Sequence, residues 1–300
     1  MTLEQVAQRF QLGRLVSDPV RVPGGLSNEL WRLVTADGVF AVKRMVLNAD
    51  QPEFVDNVEA AFGVERRAWA AGVAMPQPVA VPGTGRALAQ EQGSLFRVHG
   101  WVDGLPGEGS AAAAAGLLAS IHAVGNPRWG PALDTAWEAA RWGAQVAELA
   151  QRVRSGPDRS LIVDSHRDLD RKNTVLDADG VLMAVDWDAA GPVSAVHEAA
   201  GLALDWSEDD PAAFADAIRD YGRRSGVTVP AQPWIFAGWV IAQGGWLDYQ
   251  ATHQGGSPAG QAQVAATLTR LRTVAARLDA LLAAMSSTAD ANRSGARDLG

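Results

Sequence analysis

One short segment constrains the chain more than any other, because polar clusters stand there between apolar β-type runs. Residues 161–188 contain, in order, the apolar run 161–163, the polar run 166–173, the apolar runs 174–176 and 181–185, and Asp186-Trp187-Asp188. Short strands that flank polar loops hold those loops beside one another. Carboxylates and an amide at this spacing suit phosphoryl transfer, which needs a base for the attacking hydroxyl and oxygen ligands for Mg²⁺.

The residues before and after this segment differ in their predicted secondary structure. Residues 1–99 contain short β-type runs separated by Gly-Gly and Asp-Gly turns, with one principal helical stretch, and are expected to form a small β-rich lobe. Residues 100–110 are rich in Gly and are expected to be a hinge or linker. Residues 111–285 are mostly helical in pattern, and the small polar residues 286–300 are expected to be a disordered tail.

Composition excludes several classes of function. The 300 residues include no Cys, which rules out disulfides, thiolate metal sites and cysteine nucleophiles. The formal net charge of −8 argues against nucleic acid and anionic membranes and favours a cationic partner. Neither a secretory signal nor an apolar run of about 18 residues occurs, so a cytoplasmic location is expected. The length permits a monomer or a homodimer.

The motif His166-x-Asp168-x-x-x-x-Asn173, followed by Asp186-x-Asp188, resembles the catalytic and metal-binding motifs of the aminoglycoside phosphotransferase and choline kinase superfamily. The resemblance covers nearly the whole chain. It implies an α+β, bilobal, protein-kinase-like fold with a small β-rich N-terminal lobe and a larger, mainly helical C-terminal lobe. It also implies that Asp168 is the catalytic base and that Asn173 and Asp186 bind Mg²⁺. Asp188 is expected either to bind a second metal ion or to contact the substrate.

The same resemblance implies a nucleotide site in the first lobe. Ser27 and Asn28 follow two glycines between strands, where they can donate hydrogen bonds to phosphates. Lys43 matches the strand lysine that holds the α- and β-phosphates of ATP, and its partner is expected to be a glutamate on the next helix. The candidates are Glu53, Glu59 and Glu65. Glu65 fits the family best, because the residues that follow it match relatives.

The linker is expected to hold the base of the nucleotide. In this fold adenine bonds to the backbone between the lobes, which corresponds here to Gly100 and Val102. The expected cofactors are therefore ATP and Mg²⁺, and GTP is not excluded as the nucleotide.

Lysine is scarce in this chain, which makes each lysine informative. Of 26 basic residues only Lys43 and Lys172 are lysines, and the rest are arginines. Lys172 stands directly before Asn173, where it either approaches the transferred phosphate or forms an ion pair with Asp170, and the ion pair is the favoured interpretation. The role of Arg167, which departs from the glycine common in antibiotic kinases, stays open.

Acidic and aromatic residues accumulate after the catalytic segment. Carboxylates pair with ammonium groups and aromatic rings add cation–π contacts, so a pocket of this kind suits a cationic ligand. The residues expected to contact the substrate are Asp188, Asp205, Trp206, Glu208, Asp209 and Trp246. A structural explanation competes with this one, since an acidic run before a proline often caps a helix and Trp at helical spacing is usually core.

The sequence therefore predicts an ATP- and Mg-dependent small-molecule O-phosphotransferase. The expected acceptor is a hydroxyl of a cationic antibiotic, either an aminoglycoside or a basic cyclic peptide such as viomycin or capreomycin, with resistance as the outcome. A metabolic kinase for choline, homoserine or an amino sugar is the nearest alternative. A nucleotide-binding pseudokinase is a further alternative, although Lys43, Asp168, Asn173 and Asp186 are all in place.

Overall fold

The structure, a computed structural model, describes residues 3–23, 28–208 and 210–295, with side chains as far as residue 286. It divides into two compact units. The first comprises Met1–Gly109 together with Asp164–Gly191, and the second comprises Ser110–Val163 together with Pro192–Gly300. The predicted α+β class is confirmed. The domain boundaries differ from the expectation, because the catalytic segment packs with the N-terminal residues rather than with the helical ones.

An antiparallel sheet of six strands forms the first unit. The strands are β1 (Val20–Val22), β2 (Asn28–Thr35), β3 (Gly38–Met45), β4 (Pro78–Val79), β5 (Ala89–Glu91) and β6 (Ser94–Gly100). Their order is β1-β2-β3-β6-β4, and β5 also pairs with β6. In this register Lys43 of β3 lies directly opposite Arg97 of β6. The pairing thus brings together two basic residues that are far apart in the sequence.

Two helices complete the core of this sheet. Helix α1 (Leu3–Arg9) contributes Val6 to a cluster that includes Leu33 and Phe96. Helix α2 (Phe54–Ala70) buries a stripe of residues three or four positions apart, which is the spacing of one helix face. The buried stripe consists of Val58, Ala61, Phe62, Val64, Glu65 and Ala68. Glu65 is the one charged residue among them, so it enters the protein interior with the apolar face.

The catalytic segment joins the first unit through a small sheet. Strands β7 (Leu105–Pro106), β10 (Thr174–Leu176) and β11 (Leu182–Ala184) pair in the order β11-β10-β7. The amide of Ala184 also donates to the carbonyl of Ala74 at 2.9 Å. Gly104 lies so close to this sheet that a Cβ atom there would stand 2.4 Å from the carbonyl oxygen of Leu176. These contacts are the physical reason why the segment belongs with residues 1–109.

The second unit is mainly helical. Its helices are α3 (Ala111–Val124), α4 (Ala144–Arg154), α5 (Ala195–Trp206), α6 (Pro211–Ser225), α7 (Ala237–Tyr249) and α8 (Pro258–Gly295). A three-stranded sheet accompanies them, with β12 (Gly191–Ser194), β9 (Arg159–Ser165) and β8 (Arg128–Pro131) in that order. In one core cluster of this unit, Leu149, Phe214, Phe236 and Leu278 pack together.

The ends of these helices follow capping chemistry. Ser110 begins α3, where its hydroxyl accepts a hydrogen bond from the amide of Ala113 at 3.1 Å. Asp210 caps α6 in the same way, and Gly226 ends α6 in the left-handed conformation. Helix α8 extends to Gly295, within the segment 286–300 that is predicted to be a disordered tail, and residues 296–300 lie outside the described residues.

Among the described residues, no helix combines the length and the apolar character needed to cross a membrane.

Candidate active site

Lys43 lies between two carboxylates of the catalytic segment. Its Nζ atom is 2.5 Å from Oδ1 of Asp186 and 2.6 Å from Oδ2 of Asp188, and all three residues belong to the first unit. The lysine side chain is only 13% exposed. Burial alone would lower the pKa of Lys43, but Asp188 and Asp186 outweigh it and raise the pKa above its ordinary value. The ammonium group is therefore fixed and charged.

Asp188 also binds a second cation. Its Oδ1 atom accepts a hydrogen bond from Arg97, which donates through its other terminal nitrogen to Glu65. The remaining oxygen of Glu65 lies 2.8 Å from Nε2 of His99. Burial opposes the charge on Asp188, but Lys43 and Arg97 outweigh it and hold its pKa well below the usual range. Asp188 is thus an ionised carboxylate shared by two cations.

This arrangement corrects the predicted partner of Lys43. Glu65 contacts Arg97 and His99 rather than Lys43, and the lysine pairs with Asp186 and Asp188 instead. The other two candidates also lie elsewhere, since Glu59 binds Arg86 and nearby backbone amides and Glu53 stands before α2. The physical reason is that Arg97, the cross-strand neighbour of Lys43, forms the ion pair with the buried glutamate in place of the lysine.

The catalytic loop is held by its own polar groups. His166 is buried and bonds through Nε2 to the carbonyl of Val185 at 2.9 Å, while its ring packs edge-on against Trp187. Asn173 donates from Nδ2 to both the carbonyl oxygen and the Oδ2 atom of Asp168, each at 2.8 Å. Burial raises the pKa of Asp168 above its ordinary value, although Lys172 opposes the rise. A carboxylate with a raised pKa is a better proton acceptor for a hydroxyl group.

Lys172 and Arg167 take up different positions around this loop. The Nζ atom of Lys172 is 2.7 Å from Asp170 and 3.4 Å from Asp168, so the expected ion pair with Asp170 forms and also reaches the carboxylate of Asp168. Arg167 adopts a left-handed backbone conformation, with φ of 67°, and its side chain lies against Gly191. A non-glycine residue in this conformation is strained and is held by its surroundings.

Asp186 and Asn173 carry the oxygen donors that suit Mg²⁺. Asp186 is also left-handed, with φ of 64°, and its side chain is 42% exposed. Asn173 uses Nδ2 for both of its side-chain hydrogen bonds, which leaves the amide oxygen as a ligand. The backbone joins the two loops, because Val185 donates to the carbonyl of Asn173 at 2.9 Å. One carboxylate and one amide oxygen fit an ion that keeps waters and phosphates as its other ligands.

Asp188 fits the role of a metal ligand less well. Both of its oxygens are engaged by Lys43 and Arg97. Within the part of the chain that the structure describes, no three His, Asp or Glu side chains form a group that could hold a metal ion. The residues therefore fit a Mg²⁺ site that relies on the phosphates, with Asp186 and Asn173 as its protein ligands.

The remaining nucleotide residues have mixed outcomes. Ser27 lies outside the described residues. Asn28 is the first residue of β2, and its Oδ1 atom accepts from the amide of Val46 at 3.1 Å, so its side chain braces β3. Gly100 is the last residue of β6, and its N–H group donates a hydrogen bond to the carbonyl of Gln77 at 2.8 Å. Val102 follows in the linker without regular secondary structure and is half-buried.

Two of the residues expected to bind substrate, Asp205 and Trp206, have structural roles within the second unit. Asp205 accepts hydrogen bonds from the indole of Trp239 at 3.1 Å and from Arg270, so its charge is neutralised. Trp206 is a core residue, 2% exposed, and Glu208 lies in the turn after α5 with φ of 52°. Asp209 lies outside the described residues. The expectation is therefore wrong for Trp206, because the apolar face of α5 carries it inward.

Trp246 is the exception. Its side chain is 42% exposed on α7, where the ring stacks on Tyr249 with centroids 5.9 Å apart. The ring of Tyr249 in turn lies 4.8 Å from that of His253, in a short π-helical turn over Gln250–Gln254. Asp248 on the same helix is satisfied by Trp137, Arg141 and Trp142. Trp246 thus offers a partly exposed aromatic surface, while Asp248 on the same helix is already neutralised.

Comparison with known proteins decides the family. A family model described as a phosphotransferase enzyme family matches residues 19–234, more than two thirds of the chain. The chain belongs to this family. It is a small-molecule O-phosphotransferase, as the resemblance of the catalytic segment implied. No curated protein matches the phosphotransferase by sequence.

Solved structures share the fold of this phosphotransferase at low identity. A spectinomycin phosphotransferase in complex with ADP and spectinomycin has a TM-score of 0.65 at 9% identity, covering 93% of this chain and 99% of that chain. A microcompartment-associated aminopropanol kinase has a TM-score of 0.63 at 18% identity, covering 93% and 98%. A macrolide 2'-phosphotransferase from Brachybacterium faecium has a TM-score of 0.60 at 16% identity, covering 89% and 97%. These likenesses confirm the protein-kinase-like fold.

Sequence reasoning about this phosphotransferase missed Arg97 and His99. Both lie in the strand that leads to the linker, and Arg97 is completely buried. A signal was present, because Glu65 falls in the apolar stripe of α2 and a buried carboxylate needs a cationic partner. Arg97, an arginine between Phe96 and Val98 in an apolar strand, is the matching partner.

Proposed function

We propose that this phosphotransferase moves the γ-phosphate of ATP, with Mg²⁺, to a hydroxyl of a cationic small molecule. The observation that carries the proposal is the position of Lys43 between Asp186 and Asp188, in the same unit as the Asp168–Asn173 pair. Lys43 supplies a compact ammonium for the α- and β-phosphates. Asp186 and Asn173 would hold Mg²⁺, which supplies charge neutralisation on the phosphates when bound.

Asp168 acts as the base in this proposal. The hydroxyl oxygen of the acceptor forms a bond to the γ-phosphorus, the bond from that phosphorus to the bridging oxygen breaks, and ADP leaves. The hydroxyl proton passes to the carboxylate of Asp168, whose raised pKa suits it to accept the proton. Asn173 fixes the carboxylate through Nδ2, so that the acceptor meets it in one orientation.

A cationic antibiotic is our first candidate for the acceptor. The net charge of −8 favours a cationic partner, and structural relatives include enzymes solved with spectinomycin and hygromycin B. Trp246 offers a cation–π surface in the second unit. Aminoglycosides and basic cyclic peptides of the viomycin type carry the ammonium groups that this chemistry recognises.

A metabolic amino alcohol or amino sugar is the second candidate. Asp205 and Asp248 are neutralised by arginines, which removes two of the acidic groups that a polycationic ligand would need. The aminopropanol kinase, whose named substrate is far smaller, has the same fold at 18% identity. A ligand with a single ammonium group fits this reduced count of free carboxylates.

One screen tests both candidates. The full chain is incubated with ATP and Mg²⁺, and ADP release is measured against aminoglycosides, viomycin, capreomycin, choline, homoserine, amino sugars and aminopropanol, with Asp168→Asn as the matched control. We expect at least one cationic acceptor to stimulate ADP release in the wild type and not in the variant. Stimulation that persists in Asp168→Asn would contradict the assignment of the base.

Two further measurements address the nucleotide preference and the biological role. Replacing ATP with GTP at equal concentration measures the nucleotide preference. Expression in a sensitive bacterium is expected to raise tolerance to the antibiotic that stimulates ADP release. Unchanged susceptibility, with turnover only on a metabolite, would establish the metabolic kinase, and nucleotide binding without turnover on any acceptor would contradict the proposed reaction.

A further inference from the structure

We propose that Arg97 is a positioning residue for the phosphate-binding lysine and that it acts through Asp188. This inference rests on the proposed function, because it concerns the site that holds ATP. It assigns a role to a buried arginine that never touches the nucleotide in this scheme. Arg97 occupies one oxygen of the Asp188 carboxylate, so that only the other oxygen competes with the phosphates of ATP for Lys43.

The first step is the relation between the two cations. Lys43 and Arg97 are directly opposite in the register of β3 and β6, and like charges in such a pair repel each other. Both side chains are largely buried, so the fold must hold them with anions. Asp188 does so by dividing its carboxylate, with Oδ2 on Lys43 at 2.6 Å and Oδ1 on Arg97.

The second step is the anchor on the far side of Arg97. Its second terminal nitrogen donates to Glu65, and both side chains are almost completely buried, at 1% and 0% exposure. Glu65 is fixed in turn by His99 at 2.8 Å. The guanidinium group also lies over the ring of Phe62, 5.6 Å from its centroid. Arg97 is therefore held in one place by α2 and can act as a fixed point for Asp188.

The third step is the consequence for Lys43. With Arg97 in place, one oxygen of Asp188 is occupied and only the other reaches the ammonium group. Without Arg97, both oxygens are left to a single buried cation, so the attraction between Asp188 and Lys43 rises. The phosphates of ATP must then compete with a stronger ion pair between Lys43 and Asp188. The ammonium group of Lys43 also shifts toward Asp188. We expect weaker ATP binding as the result.

The experiment separates this role from a purely structural one. Arg97→Met alone takes the arginine away from the buried Glu65 and leaves only His99 beside it, which destabilises a fold, so the informative variant is Arg97→Met combined with Glu65→Gln. It removes one charge of each sign and is expected to melt near the wild-type temperature. The dissociation constant of this variant for ATP is measured by calorimetry on the full chain without acceptor. We expect it to rise about tenfold.

Two further variants complete the test. Glu65→Gln alone keeps the hydrogen bond from Arg97 to Asp188 but weakens the anchor of Arg97 on α2, so it is expected to lose less ATP affinity than Arg97→Met/Glu65→Gln. Arg97→Lys combined with Glu65→Gln restores a cation beside Asp188 and is expected to recover part of the lost affinity. Arg86→Met removes a surface ion pair with Glu59 in the same unit and serves as the control.

The outcomes are distinct. Wild-type ATP affinity in the Arg97→Met/Glu65→Gln variant would overturn the inference, as would an equal loss in Glu65→Gln alone, since that result would give the role to the helix glutamate. The KM for ATP is expected to rise while the KM for the acceptor stays unchanged. Failure of the proposed function would show in the wild type itself, as absence of ATP binding, and not in the comparison between variants.

Discussion

The ammonium nitrogen of Lys172 lies 3.4 Å from Oδ2 of Asp168, the carboxylate that we propose as the base. Its bond to Asp170 is shorter, at 2.7 Å, so one exposed lysine joins two carboxylates of the catalytic loop. The charge on Lys172 lowers the pKa of Asp168, and the charge on Asp170 raises it. The two neighbours therefore tune the same group in opposite directions.

This opposition gives a prediction for the pH dependence of turnover. Activity is lost as pH falls through the pKa of Asp168, because only the ionised carboxylate accepts the hydroxyl proton. Lys172→Met removes a cation and raises that pKa, so the acid limb of kcat/KM is expected to move to higher pH. Asp170→Asn removes an anion and keeps an oxygen for capping Asn173, so the limb is expected to move to lower pH. Limbs that move in the same direction would contradict the assignment.

A second prediction concerns the choice of lysine over arginine at position 43. The ammonium group fits between Asp186 and Asp188 in a side chain that is 13% exposed, and a planar guanidinium group requires a different geometry. Lys43→Arg is expected to weaken ATP binding by at least about tenfold, since it replaces a charge-assisted contact without changing the charge.

The neighbouring residue provides the control for that experiment. Arg44→Lys makes the reverse exchange at an exposed ion pair with Glu29, 2.9 Å long, and is expected to leave ATP binding unchanged. Equal affinities for wild type and Lys43→Arg, measured by calorimetry, would show that this position needs only a positive charge.

The two tryptophans predicted to bind substrate are expected to behave differently. Trp206→Ala empties a core site and is expected to lower the free energy of unfolding by about 3–5 kcal/mol. Trp246→Ala removes an exposed ring and is expected to cost less than about 1 kcal/mol, while raising the KM for a cationic acceptor. Denaturant unfolding and acceptor titrations check the two effects separately. An unchanged acceptor KM in Trp246→Ala would remove this residue from the substrate site.

His197 predicts a loss of stability in acid. Burial lowers the pKa of His197 from 6.5 to about 4, and its ring packs edge-on against Trp234. The unfolded chain takes up the proton below pH 6.5 and the folded chain does not, so this contribution is complete above pH 6.5 and is lost as pH falls toward 4. The total is on the order of 3 kcal/mol. His197→Gln is expected to show a smaller drop in urea midpoint between pH 7 and pH 4.5, and an equal drop would contradict the role of this histidine.

Local motifs account for what the sequence made predictable. Asp168 and Asn173 are five residues apart in one loop, so their spacing already places them side by side. Lys43 could be found because a lysine on a strand after a glycine turn stands out among so many arginines. The pairing of Lys43 with Asp186 spans 143 residues and was not predicted, since the resemblance implied a glutamate on the next helix as the partner of the lysine.

Long-range pairing accounts for what was missed. Arg97 meets Lys43 only through the register of β3 and β6, which no local pattern fixes. Asp205 looked like a free carboxylate because Arg270, its partner, lies 65 residues further along the chain. Trp206 was predicted to contact the substrate because the acidic residues beside it in the sequence suggested an exposed pocket. Composition showed which charges were present, and the fold decided which of them neutralise one another.

The order in which the two units are assembled along the chain has a consequence for synthesis. The first unit is interrupted by residues 110–163 and is completed only by Asp164–Gly191. At translation rates of about 5–20 residues per second, the 143 residues between Lys43 and Asp186 take on the order of ten seconds to emerge from the ribosome. Until then the nascent sheet carries Lys43 and Arg97 side by side without their shared aspartate. The first unit therefore cannot finish folding before more than half of the protein has been made.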